Sequence, residues 1–152
     1  IITIKNIEGI AVDAGDGKDT IIGSIGNDTI TGGLGSDKLT GGEGFDTFLF
    51  NRSDFFTENT NGDLVFNKSI DTITDFNTKE DTLEFSELGE LSFYATLKEA
   101  VTNEATLFYV KGSGKIYLNT DTTGEKYTAS PIIMLTGNPK VNLDITGWDY
   151  PV

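Results

Sequence analysis

In the first third of the chain, large apolar residues recur at nine-residue steps: Val12, Ile21, Ile30, Leu39 and Phe48. Aligned on that period, four nonapeptides abut without insertion: AGDGKDTII (14–22), GSIGNDTIT (23–31), GGLGSDKLT (32–40) and GGEGFDTFL (41–49). The fourth place is always glycine (Gly17, Gly26, Gly35, Gly44) and the sixth always aspartate (Asp19, Asp28, Asp37, Asp46). The first two places are glycine except at Ala14 and Ser24. The glycine-rich six residues have no helical stripe, and glycine is costly in a helix. Glycine does permit the left-handed backbone angles of a tight turn. The last three residues, such as Thr29-Ile30-Thr31, read as a very short strand with one side chain pointing inward. Alternating turns and strands predict a stacked coil with the eighth-place residues as a thin internal column. The apolar phase starts at Val12, one step before the glycine loops; a further step back lands on Thr3.

Stacking such turns lines up the aspartates at about one strand spacing, ~4.7–4.9 Å. Two unit charges at that distance repel by ~1 kcal/mol in water and by several times that at lower effective dielectric. The pattern therefore predicts that the front does not fold alone and that something positive lies between the carboxylates. Composition narrows what that is. The chain holds 24 Asp and Glu against 11 Lys and Arg, a net charge of −13, with no His and no Cys. Zinc sites of the usual kind, Ser-His-Asp and Cys-His nucleophiles, disulfides and iron–sulfur centres are excluded. Carboxylates, hydroxyls and carbonyls remain, and they suit a hard cation. The acidic excess works against nucleic acid and anionic membranes, which want a basic face.

The GGxGxDxUx unit resembles the nonapeptide of RTX (repeat-in-toxin) proteins, a calcium-binding parallel β-roll repeat. The resemblance implies that two nonapeptides make one coil and that Ca2+ lies between turns two repeats apart. One site would take Asp19 and Asp37 with the carbonyls of Gly15, Gly17, Gly32 and Leu34. The other would take Asp28 and Asp46 with the carbonyls of Ser24, Gly26, Gly41 and Glu43. Beyond the repeats, FDTFLF (45–50), SDF (53–55), DTITDF (71–76) and DTLEFSEL (81–88) are similar to the segment after the roll in serralysin-type proteases and alginate epimerase R-modules. That similarity implies that Asp54 and Asp71, and more weakly Asp75, close the terminal calcium sites.

The rear is more ordinary, since 11 of the 18 glycines fall within residues 1–50. Phe93, Leu97, Ala100 and Val101 share one helical face and predict a short helix over 91–104. TLFYVK, KIYLN and PIIMLTG read as strands, with Gly112-Ser113-Gly114 and Thr123-Gly124 as turns. Asn119–Gly124 reads as a hairpin turn and is too short for an EF-hand loop. Tyr109, Tyr117, Phe108, Ile132 and Met134 would give the rear a sandwich-like core that caps the open end of the roll. The expected architecture is all-β: a parallel β-roll over 1–50, then a β-rich cap over 51–152, forming one continuous module.

No apolar run approaches the ~20 residues of a membrane span. The start at Ile1 reads as a piece of something longer, and the ending Trp148-Asp149-Tyr150-Pro151-Val152 is similar to an uncleaved type I secretion signal. The resemblance implies a secreted, extracellular, non-enzymatic module that folds on calcium after passing the type I secretion machinery. An auxiliary polysaccharide-binding module of an extracellular carbohydrate-active enzyme is the alternative. The front offers only Lys5, Lys18 and Lys38 to an anionic glycan, whereas Lys98, Lys111, Lys115, Lys126 and Lys140 lie in the rear.

Overall fold

A computed structural model describes residues 1–3, 8–88, 91–94, 106–110, 112–121 and 128–136. Its elements, in chain order, are β1 (Ile2–Thr3), β2 (Ala11–Asp13), β3 (Thr20–Ile22), β4 (Thr29–Thr31), β5 (Lys38–Thr40), β6 (Thr47–Asn51), α1 (Arg52–Phe55), β7 (Phe56–Glu58), β8 (Leu64–Phe66), β9 (Asp71–Ile73), β10 (Thr82–Ser86), β11 (Leu91–Tyr94), β12 (Leu107–Val110), β13 (Lys115–Asn119) and β14 (Ala129–Leu135).

Each nonapeptide contributes one three-residue strand, or the start of one in β6, and each glycine turn carries the chain across to the opposite sheet. One sheet therefore runs β10-β6-β4-β2 and the other begins β1-β3-β5-β9. All of these pairs are parallel. The registers Ile21↔Leu39 and Val12↔Ile30↔Phe48 mate residues one full coil, or two nonapeptides, apart. The eighth-place side chains Ile21, Ile30, Leu39 and Phe48 are fully buried. The front of the chain is a parallel β-roll, as its period predicts, and the described residues are almost wholly strands and turns.

The stacking does not stop at the fourth repeat. The strand β9 adds to β5 with Ile73 beside Leu39, and β10 adds to β6 with Leu83 beside Phe48. Between β6 and β9 the chain leaves the coil through α1 and the β7–β8 hairpin. There Phe50 stacks on Phe55 and Phe85, and Phe56 packs against Phe66. This aromatic group belongs to the same buried cluster as the roll column and the apolar residues of the rear strands.

The rear extends the roll instead of building a separate sandwich. β14 pairs parallel to β9, and β13 and β12 follow antiparallel, so one eight-stranded sheet passes from the roll into the cap. Phe108 and Tyr117 stack at 5.4 Å in a smaller cluster with Val110 and Ala129. The expected turn at 112–114 is present, with the Ser113 N–H donating to the Val110 carbonyl. The expected helix over 91–104 is corrected in its first turn: residues 91–94 form β11, parallel to β12. Sheet pairing overrides the helical spacing there. Residues 95–104, Thr123-Gly124 and the 148–152 ending lie outside the described residues. No helix among the described residues is long and apolar enough to cross a membrane.

Candidate metal centre

The sixth-place aspartates form two ladders, one along each edge of the roll. On one edge the Asp19 N–H donates to Asp37 Oδ1 (2.8 Å) and the Asp37 N–H to Asp71 Oδ1 (2.9 Å). On the other, the Ile10 N–H donates to Asp28 Oδ1 (2.9 Å), the Asp28 N–H to Asp46 Oδ1 (2.9 Å) and the Asp46 N–H to Asp81 Oδ1 (3.2 Å). Every rung is a carboxylate accepting the main-chain donor of the turn before it. Asp28, Asp37, Asp46 and Asp71 are each at most 2% exposed.

One oxygen of each ladder is left over. Asp37 Oδ2 and Asp46 Oδ2 are buried and accept no hydrogen bond. A buried charged acceptor without a partner is costly, and in a native fold it calls for an ion or other donor. Each leftover oxygen packs on the first glycine of its own turn. A Cβ on Gly32 would sit 2.6 Å from Asp37 Oδ2, and one on Gly41 would run into Asp46 Oδ2.

The turns also face their carbonyls toward one another. A Cβ on Gly33 or Gly35 would collide with the Gly15 or Gly17 oxygen. On the other edge, Gly42 and Gly44 lie against the main chain of Ser24 and Gly26, and Gly23 lies against the Gly41 carbonyl. The Leu34 carbonyl accepts the Gly17 N–H (2.7 Å), and the Glu43 N–H donates to the Ser24 carbonyl (3.4 Å). Sites predicted from the repeats are thus brought together in pairs of turns two repeats apart. Among the described residues no three acidic side chains converge on one point. A cation here would draw the balance of its ligands from main-chain oxygens, which suits calcium, a taker of six to eight oxygens.

The second turn departs from the others at Ser24. Ser24 N–H and Oγ donate to Asp28 Oδ2 (2.6 Å) and Oδ1 (2.8 Å), and the Gly26 N–H donates to Ser24 Oγ (3.1 Å). Asp28 therefore has both oxygens satisfied from within its own turn and from Ile10. Gly33 and Gly42, the second-place residues of the next two turns, take φ of +90° and +111°, whereas Ser24 does not enter the left-handed region. At the other departure, Ala14 packs on the core and donates its N–H to the Thr31 carbonyl (3.1 Å).

Asp54 and Asp71 both lie at the end of the first ladder. Asp71 is its last rung. Asp54 sits in α1, where its Oδ2 accepts the Asn51 N–H (2.6 Å) and its carbonyl accepts Asn67 Nδ2 (2.7 Å). Its charge is felt at both Asp37 and Asp71. Asp75 is not a ladder rung; its carboxylate grips two amides of the fourth turn, Gly41 N–H at 3.0 Å and Gly42 N–H at 2.9 Å. Asp81 was not among the residues expected at the site. Its signal is the triad of Asp, Thr or Lys, and a large apolar residue, found at 19–21, 28–30, 37–39, 46–48, 71–73 and again at 81–83.

Burial is the main cause that raises these carboxyls, opposed only by hydrogen bonds. Asp71 is pushed up to about 7, with the Asp37 N–H opposing and the charges of Asp37 and Asp54 adding. Asp46 is pushed up to about 6, with the Asp28 N–H opposing and Asp81, Asp28 and Asp75 adding. Asp37, Asp54 and Asp81 are raised for the same first reason. Mutual repulsion thus recurs in every case, and a divalent cation would relieve it.

Residues 13–48 match the RTX calcium-binding nonapeptide repeat family in four copies. No curated protein matches the chain. Residues 13–48 thus form an RTX calcium-binding repeat module within the chain.

Proposed function

We propose that this RTX-bearing chain is a calcium-dependent folding module, and that it serves as the C-terminal folding and secretion domain of a larger extracellular protein. The observation that carries the reading is the pair of buried, unpartnered oxygens, Asp37 Oδ2 and Asp46 Oδ2, one on each edge of the roll. Asp19, Asp37 and the carbonyls of Gly15, Gly17, Gly32 and Leu34 would hold one ion. Asp46 with Asp28 and the carbonyls of Ser24, Gly26, Gly41 and Glu43 would hold the other, and Asp54 and Asp71 would close the first column. Bound Ca2+ supplies positive charge among carboxylates that otherwise repel. The chain's own residues do the rest: the ladders fix the spacing of the turns, and the first-place glycines leave room for the carboxylates.

Binding that needs the folded turns from both repeats is folding free energy. Where calcium is scarce the front is destabilised toward an expanded form, one suited to threading through the type I secretion channel. Outside the cell the carboxylates are neutralised and the roll closes on its cap. Titrating calcium into metal-stripped protein while following circular dichroism tests this. A cooperative gain of β signal is expected, shifted to higher calcium in Asp37→Ala and in Asp46→Ala. A spectrum unchanged by calcium overturns the proposal.

A further inference from the structure

The second and fourth turns of the roll lie on the same edge and share the same motif, yet their carboxylates end in opposite states. In the second turn the Ser24 N–H, at the second place, is donated to the turn's own Asp28 Oδ2. In the fourth turn the corresponding donor, the Gly42 N–H, goes to Asp75 Oδ2 at 2.9 Å, and the neighbouring Gly41 N–H goes to Asp75 Oδ1 at 3.0 Å. Asp46 Oδ2 is left buried and unpartnered, as Asp37 Oδ2 is in the third turn. The first-place amides differ in the same way. Ala14 and Gly23 give theirs to the carbonyls of Thr31 and Thr40, the ninth places of the following repeats. At the fourth turn β9 stands where the next repeat's strand would, yet the Gly41 N–H goes to the Asp75 side chain and not to a strand-end carbonyl.

We propose that Asp75 is a positioning residue for the Asp46 cation site: it holds the fourth turn open and keeps the Gly41 and Gly42 amides away from the carboxylate that must face the ion. The inference rests on the calcium reading above. What sets Asp75 apart from the ladder carboxylates is what it grips: each of its oxygens accepts a main-chain N–H of the fourth turn. Without it, the Gly42 amide is free to satisfy Asp46 Oδ2 as Ser24 satisfies Asp28, and the turn closes on itself. Asp75 follows β9 and Thr74, and Thr74 Oγ1 lies 2.7 Å from Thr40 Oγ1. The clamp is therefore held against the roll by its neighbours on the sheet that leads to the cap.

The test is calorimetric titration of the full chain with calcium chloride, with Asp37→Ala and Asp46→Ala used to assign one binding phase to each edge. Asp75→Ala is expected to weaken the Asp46-assigned phase at least tenfold and leave the Asp37-assigned phase unchanged. Asp75→Asn keeps one side-chain acceptor and should recover part of the loss; should Asp75→Ala fail to fold, an intermediate loss in Asp75→Asn confined to the same phase carries the test. Three outcomes overturn the positioning role: an unchanged phase in Asp75→Ala, equal weakening of both phases, or an Asp75→Asn variant as weak as Asp75→Ala, which would make its charge the requirement. A wild-type chain that binds no calcium overturns the functional reading as well, and that result is distinct from the other three.

Discussion

Removing the metal should invert the usual acid response of the fold. In the folded, metal-free chain Asp71 binds its proton with a pKa of about 7, against 3.8 for an exposed aspartate, chiefly because it is buried. Between those two values the folded chain holds more protons than the unfolded one, so stability falls as pH rises through the window and is recovered on acidification. From pH 7 to pH 5 the Asp71 shift alone stabilises the folded form by about 2 kcal/mol. For a chain of this size that is a rise in melting temperature of about 4–8 °C. Asp46, raised to about 6, acts in the same direction, to an extent reduced by solvent screening. Asp37, Asp54 and Asp81 are also raised and add to it. The assay is a series of thermal melts by circular dichroism on protein stripped of metal on a chelating resin, with Asp71→Asn beside the wild type. The variant's side chain is neutral at every pH, so it should lose the Asp71 share of the gain, about 2 kcal/mol. In saturating calcium the trend should reverse, because the ligands must be ionised and protons compete with the ion. A metal-free wild type whose β signal and melting temperature fall steadily from pH 7 to pH 5 would refute the electrostatic account of the ladders.

Two substitutions probe the turns themselves. Gly35 has φ +137° and a Cβ there would collide with the Gly17 carbonyl, whereas at Gly15, φ +81°, a Cβ meets nothing within 4 Å. Gly15→Ala should therefore cost only the left-handed penalty of ~1–2 kcal/mol, and Gly35→Ala distinctly more, read as melting temperatures in calcium; equal losses would show that turn packing is not the constraint. Ser24→Ala removes the hydroxyl bonds to Asp28 Oδ1 and from the Gly26 N–H. It should lower metal-free stability by ~1–3 kcal/mol, and a denaturant midpoint unchanged in the absence of calcium would contradict the view that the second turn is held by its own side chains.

Much of the roll was legible because its physics is periodic. A nine-residue step with one apolar and one acidic place leaves little choice but turn, strand and stack, and the registers Ile21↔Leu39 and Ile30↔Phe48 follow from it. Asp54 and Asp71 were reached only through likeness to segments that follow such rolls, since the spacing breaks after Phe48. Asp81 was missed for the same reason: it lies 35 residues beyond its ladder partner Asp46, where the strict repeat would place it 18 beyond. The local triad survives that break, because it encodes one rung and needs no neighbour in sequence. The strand at 91–94 illustrates the opposite failure. Its helical spacing is a local preference, and pairing with β12, 16 residues on, decides the outcome.

The segment 71–81 explains why roll and cap should act together. It places Asp71 and Asp81 as the last rungs of the two ladders, Asp75 on the amides of the fourth turn, and Ile73 on the apolar column. The same β9 that lies beside β5 also pairs with β14 through Ile133↔Asp71, Met134↔Thr72 and Leu135↔Ile73. Undocking the rear strands would therefore uncover the backbone of β9 and loosen rungs on both edges at once. Conversely, ordering the carboxylates around cations fixes Asp71, and with it the strand that β14 needs as a template. A single short segment shared by two ladders and one sheet makes metal binding and cap docking linked equilibria, each strengthening the other by the same free energy.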